Sequence, residues 1–512
     1  MGFISAWLFC VRLLSQGTIQ ARTSMAEYIL SVGMEVHAEL KTRSKMFCAD
    51  EAVFGGEANT RISPLSLGLP GTLPVPNKEA IAMVLKTALA LNCKIAMHSV
   101  FHRKNYFYPD LPKGYQISQY GETNPIGYHG WLDIPDGKGG TKRIKIQRVH
   151  LEEDTGKLMH LPGGGSGVDY NRAGVPLMEI VTAFPPDIQS AEDAKEYLVR
   201  LRQVLLYLGV CDGKMEHGSM RCEPNISVRP VGSEVYGTKS ELKNLNSFTA
   251  VQLGIEFERK RMITALEAGE TLKQETRGWN ETKLESFAQR IKETEMDYRY
   301  FPDPDLVPLQ FDEDTVARVK ENLPELALSR LNRYMNQYGL SYYDADRLTE
   351  ERSWSDFFEA CMLEGGEPKA VCNWMNGDFS RLLNETGQAV GIEDREESKI
   401  TPAHMVELTK MIASGEISGK IAKEVFEDCF NSGSMPKKVV EAKGLSQISD
   451  EGAITQAVAD VLKENPGPVE QYLGGKEGIM GFLVGQVMKK TQGRANPPMV
   501  QGEVRKQLEA MR

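Results

Sequence analysis

Carboxylates and imidazoles recur in this sequence at the two-residue spacing that brings side chains onto one face of a strand. Between Tyr28 and Leu40 the even positions are Tyr28, Leu30, Val32, Met34, Val36, Ala38 and Leu40, while the odd ones include Gly33, Glu35, His37 and Glu39. An extended chain sets Glu35 and His37 on the same side, about 6.5–7 Å apart. Between Arg143 and Gly156 the alternation puts Arg148, His150, Glu152 and Asp154 opposite Val149 and Leu151, with Glu153 on the apolar side or in the turn. Two carboxylates about 6.5 Å apart repel by roughly 2.5 kcal/mol at an effective dielectric near 20. A solvated turn relieves this by spreading the side chains, and a divalent cation reverses its sign. Glu179 is the only charge among Val175, Leu177, Met178, Ile180 and Val181, where a lone carboxylate is costly unless paired or metal-bound. From Ser219 to Arg229, Met220, Cys222, Ile226 and Val228 alternate with Arg221, Glu223, Asn225 and Ser227, a surface suited to phosphate and equally to solvent.

Glu35, His37, Glu152 and Glu179 therefore form the candidate catalytic and metal-ligating set. Oxygen donors with one imidazole and no thiolate suit Mg²⁺ or Mn²⁺ better than zinc. Several familiar nucleotide and acyl-transfer signatures are missing: no GxxxxGK[ST], no kinase HRD or DFG pattern, no GxSxG. Gly163–Gly167 is glycine-rich but lacks the P-loop lysine, and is predicted to be a turn.

The elements that must carry these residues are legible in outline. Residues 26 to about 320 alternate strand-like segments with Gly, Pro, Asn and Asp turns. Two helices interrupt them, Lys78 to Leu91 and one following Ser247 that stops near Gly269. After Pro324 the pattern changes to short amphipathic helices near 324–340, 355–364, 402–412, 418–430, 450–464, 477–490 and 499–511, with Ser418 and Ser449 as N-caps and Pro436 and Pro466 as breaks. The expected fold class is α+β: a large mixed or antiparallel-sheet domain over 26–320, an all-helical middle domain over 321–431, and a small helical tail over 432–512.

At 512 residues the chain exceeds one ordinary core. It is 41% hydrophobic and 25% charged, a globular balance, with no apolar run long enough to span a membrane. A net charge of -10 argues against nonspecific coating of nucleic acid. Local basicity survives after Ile479, where Lys489, Lys490, Arg494, Arg505, Lys506 and Arg512 outweigh Glu503 and Glu509. The eight cysteines are scattered without a CxxC pair, so neither a disulfide framework nor a zinc ribbon is expected, and a reducing compartment is. Residues 1–25 read as a leader outside the fold. Met25 is the working start, or this acid-free, Arg- and Ser-containing stretch is a transit peptide, or it is a tail with no assigned role. A start at Met25 implies a cytoplasmic protein and a transit peptide a mitochondrial one.

Longer segments carry a resemblance. Gly33-Met-Glu-Val-His-Ala-Glu-Leu40, Arg103-Lys-Asn-Tyr-Phe-Tyr-Pro-Asp110, Lys113-Gly-Tyr-Gln-Ile-Ser-Gln119, His150-Leu-Glu-Glu-Asp-Thr-Gly-Lys157, Asn171-Arg-Ala-Gly-Val-Pro-Leu-Met-Glu-Ile-Val181, Glu241-Leu-Lys-Asn-Leu-Asn-Ser-Phe248 and Asp297-Tyr-Arg-Tyr-Phe-Pro302 resemble, in order, the B subunit of the aspartyl/glutamyl-tRNA amidotransferases. Gly481-Phe-Leu-Val-Gly-Gln-Val-Met488 and Arg494-Ala-Asn-Pro497 fit its tail. The resemblance implies a cradle domain with an ATP- and Mg²⁺-dependent kinase site, a helical domain, and a tail that binds the tRNA body through residues such as Lys489, Lys490 and Arg494. It implies a heterotrimer in which an amidase, together with a small third protein, joins this chain to act on Glu-tRNA(Gln), Asp-tRNA(Asn) or both. By position in the motifs, Glu35, His37, Glu152 and Glu179 would be metal and active-site ligands, and Lys113 and Glu153 would line an ammonia route. Arg221, Asn225, Lys243 and Asn244 would contact the nucleotide or the acceptor end. Two departures matter. Only Cys48 remains of a four-cysteine zinc site found in some members, opposite Ser63 and Ser66, so no zinc is expected. Cys222-Glu-Pro-Asn225 stands where the usual pattern is Cys-Asp-Ala-Asn. The rival readings are a non-catalytic tRNA-binding scaffold and a ligase acting on a free amino acid.

Overall fold

The structure, a computed structural model, describes residues 27–512 except 137–139, 162, 292–296, 393–394, 446–450, 492–494 and 512. The expected leader, the Ser449 cap and Arg494 lie outside the described residues. The chain divides into two units, one ending at Pro324 and the other beginning at Glu325.

The first unit is built on a nine-stranded sheet. Its strands are β1 (Tyr28–Glu39), β2 (Lys94–Ile95), β3 (Gly127–Pro135), β4 (Thr141–Glu153), β5 (Pro176–Thr182), β6 (Met220–Pro230), β7 (Ser240–Lys243), β8 (Glu275–Asn280) and β9 (Glu285–Ile291). Their order across the sheet is β9-β8-β7-β6-β1-β5-β4-β3-β2. All neighbours are antiparallel except β7 and β8, which run parallel, so the sheet is mixed. The even residues of β1, Leu30 to Ala38, are buried on one face. Helices α1 (Lys78–Ala90), α2 (Ala191–Leu208) and α3 (Phe248–Glu267) pack there, α1 on β3 and β4, α2 on β3 and α3, and α3 on β6.

The cap chemistry explains the helix starts. Asn77 accepts from the Glu79 and Ala80 N–H groups, Ser190 from Asp193, and Ser247 from Ala250. α2 is a third helix where the sequence pattern predicts two. Its signals are present in the sequence: the Ser190 cap, apolar Ala194, Leu198, Leu201 and Leu205 at helical spacing, and Gly209 in the left-handed conformation at its end (φ 69°). A three-stranded sheet, His102–Asn105 with Tyr115–Ser118 and Phe301–Pro302, packs against β4 through Tyr115–Ser118.

The second unit is helical. One core runs from Leu331 to Val440 and another from Ile454 to Leu508. The first takes in Val439 and Val440, so the turn near Asn431–Pro436 falls inside its sequence range and does not end it. Pro436 and Pro466 open helices Pro436–Lys443 and Pro466–Leu473 where breaks are expected. Proline fits a helix's first turn because that N–H has no intrahelical partner. No helix among the described residues is long and apolar enough to cross a membrane.

Candidate active site

The polar face of the sheet is organised in rows fixed by strand register. Arg221 on β6 lies opposite His37 on β1, His37 opposite Glu179 on β5, and Glu179 opposite His150 on β4. One row over run Glu223, Glu35, Val181 and Arg148. On the other side Glu39, Leu177 and Glu152 stand opposite one another. Four segments separated by up to nearly two hundred residues thus deliver one patch, because β1 sits between β5 and β6 and β4 follows β5. This adjacency is what the sequence alone does not supply.

The patch floors a cavity of about 800 Å³. Within it, the ligand atoms of His37, Glu152 and Glu179 lie within 4.8 Å of one another. His37 Nε2 stands 3.6 Å from a Glu152 oxygen. Ligands on an octahedral Mg²⁺ at about 2.1 Å are roughly 3.0–4.2 Å apart, so these three need move little to hold one ion, and their donor chemistry fits a hard cation. Glu35 does not join this set. It points into the same cavity from the next row, where it accepts from the Asn225 amide at 3.2 Å. Burial first, then Glu179 and Glu223 nearby, push its carboxyl up.

His150 is the main residue absent from the candidate set. It is buried, with Nε2 2.8 Å from Glu179 and 3.5 Å from Glu152, and with Nδ1 unpartnered. Burial alone would discharge this imidazole, but the carboxylates of Glu179 and Glu152 outweigh it and raise its pKa. Reciprocally, burial would raise the Glu179 carboxyl, yet His150, with His37 and Arg148, holds it well below the usual range. Ser118 donates to Glu152 at 3.2 Å. His150 and Ser118 therefore aim the two carboxylates, the service that outer groups give metal ligands. Lys104, from the small sheet, also lines the cavity and is kept charged against burial by Glu152 above all. His150 and Lys104 both lie inside the family motifs; what the motifs do not give is their direction.

Neighbouring Glu153 faces the other way, as alternation requires. It pairs with Lys113 and accepts from the Ile117 N–H at 3.0 Å, in a small pocket with Phe47, Leu65 and Pro112. Arg221 grips Asp154 through two bonds of 2.6 and 3.3 Å, which hold that buried carboxyl near 2 against the pull of burial. Glu39 lies against Asp154; burial and this neighbour push it up to about 8. Lys243 bridges Glu223 at 2.9 Å and Glu241 at 3.1 Å, which gives Glu223 a partner. Asn244 lines a second cavity and not the first. Near Cys48, the Asp50 carboxylate accepts from the Ser63 N–H at 2.9 Å and from the Ser66 hydroxyl. In the second unit Lys490 pairs with Glu464 at 2.6 Å and Asp460 at 3.4 Å, whereas Lys489 is exposed.

Two family models match the chain, a GatB/GatE catalytic domain over residues 30–317 and a GatB domain over residues 356–508. Among curated relatives, the B subunit of the aspartyl/glutamyl-tRNA(Asn/Gln) amidotransferase from Caldanaerobacter subterraneus is 51% identical, with 94% of this chain and 99% of the relative covered. The B subunits from Bacillus pumilus (50% identical, 92% and 96% covered) and from a Synechococcus strain (48% identical, 96% and 99% covered) are similar too. With more than half of its length matched by the catalytic-domain model and near-complete alignment to such relatives, the chain belongs to the B-subunit family of the aspartyl/glutamyl-tRNA(Asn/Gln) amidotransferases.

Proposed function

We propose that this chain activates the side-chain carboxylate of Glu-tRNA(Gln) or Asp-tRNA(Asn) with ATP, and that ammonia from a glutamine-hydrolysing amidase partner then makes the amide. The observation that carries the reading is the convergence of His37, Glu152 and Glu179 on one cavity that Lys104, Arg148, Arg221 and Lys243 also line. Two buried carboxylates facing a ligand-sized space, with cations around it, suit a polyanion that arrives with a divalent metal. His37, Glu152 and Glu179 would hold Mg²⁺, with His150 and Ser118 fixing their direction. A bound Mg²⁺ supplies charge neutralisation on the transferring phosphoryl group.

The chemistry answers a leaving-group problem, since a carboxylate does not release oxide to an amine. Its oxygen attacks the γ-phosphorus of ATP, that O–P bond forms, the bridging P–O bond breaks, and ADP leaves. Ammonia then attacks the acyl carbon, the C–O bond to phosphate breaks, and ammonia's extra proton is given up as phosphate departs. The residues of this chain position charge: Lys104, Arg148 and Arg221 line the cavity that would receive the triphosphate. The relatives are named as one lettered component of an amidotransferase, which supports assembly with further proteins, here the amidase and a small third component of the heterotrimer.

Phosphate release by the assembled complex tests this. It should require ATP, Mg²⁺ and Glu-tRNA(Gln) or Asp-tRNA(Asn), and uncharged tRNA or free glutamate should not replace the charged form. Turnover with free glutamate would favour the free-amino-acid ligase; no turnover with any charged tRNA would favour the scaffold.

A further inference from the structure

Beside the metal-holding chamber lies a second cavity of about 620 Å³. Arg221, Glu223 and Lys243 line both. The wall is thus made of paired cations: Arg221 locked on Asp154, and Lys243 on Glu223 and Glu241. Each space also carries a stacked pair of rings. In the chamber Tyr120 and Tyr300 stack with centroids 4.2 Å apart and planes 10° apart; in the second cavity Phe54 and His217 stack at 4.5 Å and 12°. Tyr120 is 55% exposed and Phe54 66%, so both stacks leave ring surface open to a further planar group.

The Phe54 platform is built. Arg61 donates to the carbonyls of Val53 and Gly55, on either side of Phe54, at 2.8 and 2.6 Å. Gly55 and Gly56 take positive φ (77° and 87°), and a Cβ on Gly56 would come within 2.6 Å of the Arg61 guanidinium. Asn59 ties the loop, through Asp169 and Val168, to the two-stranded hairpin of Lys157–His160 and Ser166–Asp169. The chain therefore spends an arginine and two glycines to hold an aromatic ring out in water, at the mouth of a cavity. Inside, Val53, Met159, Met215 and Leu245 offer an apolar lining.

Resting on the reading above, we propose that the two cavities divide the two adenosine-bearing substrates: the nucleoside triphosphate occupies the chamber over His37, Glu152 and Glu179, and the aminoacyl-adenosine end of the tRNA occupies the second cavity. Its terminal base stacks on the Phe54–His217 pair, and its side-chain carboxylate meets the γ-phosphate at the shared Arg221 and Lys243. The assignment runs this way round because among the described residues the converging ligand set lies in the first cavity, where a triphosphate needs its metal. The second cavity, part apolar with Lys157 and Arg172 at its wall, suits a base, a ribose and a single phosphate. Stacking is the means by which proteins hold single-stranded ends without reading sequence.

The test is steady-state phosphate release by the assembled complex, with ATP and Glu-tRNA(Gln) varied separately. Phe54→Ala should lower kcat/KM for the aminoacyl-tRNA on the order of tenfold and leave KM for ATP within about twofold, and Phe54→Tyr should restore it. Tyr120→Ala should do the reverse, raising KM for ATP with little change toward aminoacyl-tRNA at saturating ATP. Both rings are exposed, so neither change threatens the fold, and melting of the variants should match the wild type. A Phe54→Ala effect on KM for ATP, no effect on either substrate, or failure of Phe54→Tyr to rescue would each overturn the division. A wild-type complex that releases no phosphate with any aminoacyl-tRNA would bring down the functional reading itself, and the division with it.

Discussion

Two regions of the first unit bury carboxylates, and they settle the charge differently. Glu258, on α3, is fully buried. Arg261 reaches both of its oxygens at 2.7–3.1 Å, Arg277 approaches at 3.1 Å, and Ser286 donates a further bond. Every acceptor direction is filled by a permanent cation or a hydroxyl, and Glu258 lines neither cavity. Glu152 and Glu179 are also buried, but imidazoles at 2.8–3.6 Å take the place of a closed ring of guanidiniums, joined by Ser118 at 3.2 Å on Glu152 and by Arg148 at 3.5 Å on Glu179, and both carboxylates face open space. A guanidinium cannot give up its charge, whereas an imidazole can adjust its proton to what arrives. The closed arrangement serves the fold, and the open one leaves room for a ligand.

Exchanging charge at each place should separate the two roles. The largest effect is expected at the open site. Glu179→Gln or His37→Ala should weaken Mn²⁺ binding to the assembled complex by about a hundredfold or more and cut aminoacyl-tRNA-dependent phosphate release at least as far, with melting little changed. Calorimetric titration with Mn²⁺ reads the first quantity; unaltered Mn²⁺ affinity in both variants would remove these residues from the metal site. Glu258→Ala should behave oppositely. Arg261 and Arg277 are partly buried and would keep only Glu275 as an anion, at 3.3 and 2.9 Å, so the loss should cost about 3 kcal/mol of stability, read by urea unfolding, while kcat/KM of the folded protein stays within about threefold.

Glu153 tests an intermediate case, a buried carboxylate balanced by one lysine on the face opposite Glu152. Glu153→Gln should leave phosphate release largely intact and reduce the glutamine-to-amide yield severalfold, with free ammonia restoring much of the yield. Parallel assays of phosphate, glutamate and Gln-tRNA decide it; equal losses in all three would make Glu153 structural. The smallest effect is expected at the exposed extreme. Lys489→Ala should weaken tRNA binding a few-fold at physiological salt, and Lys490→Ala less, because Lys490 is already engaged by Glu464 and Asp460.

Much of this contrast is legible without the fold. Alternation alone puts Glu35 with His37, and Glu152 opposite Glu153, since strand geometry is local. The family motifs then order the segments. Register is not legible: that His37 meets Glu179 and Glu179 meets His150 depends on which strands pair, a non-local choice. That is why residue type and spacing group Glu35 with a set it stands beside, and why they leave out His150 although its spacing matches. α2 escapes notice despite a clear cap and stop, because strand signals dominate on both sides of it. The Glu258 cluster cannot be read from the sequence at all, because Arg277 and Ser286 come from strands whose pairing with α3 leaves no periodic trace.

Carboxylate phosphorylation is tested most directly by following an oxygen atom. With the side-chain carboxylate of Glu-tRNA(Gln) labelled with ¹⁸O, attack on ATP followed by displacement with ammonia moves one labelled oxygen into phosphate for each amide formed. Phosphorylation of the carboxylate predicts singly labelled phosphate in equal amount to Gln-tRNA, and loss of both products together in Glu179→Gln. Amide formed with unlabelled phosphate would mean that the carboxylate is never phosphorylated, and would contradict the role assigned to the His37–Glu152–Glu179 chamber.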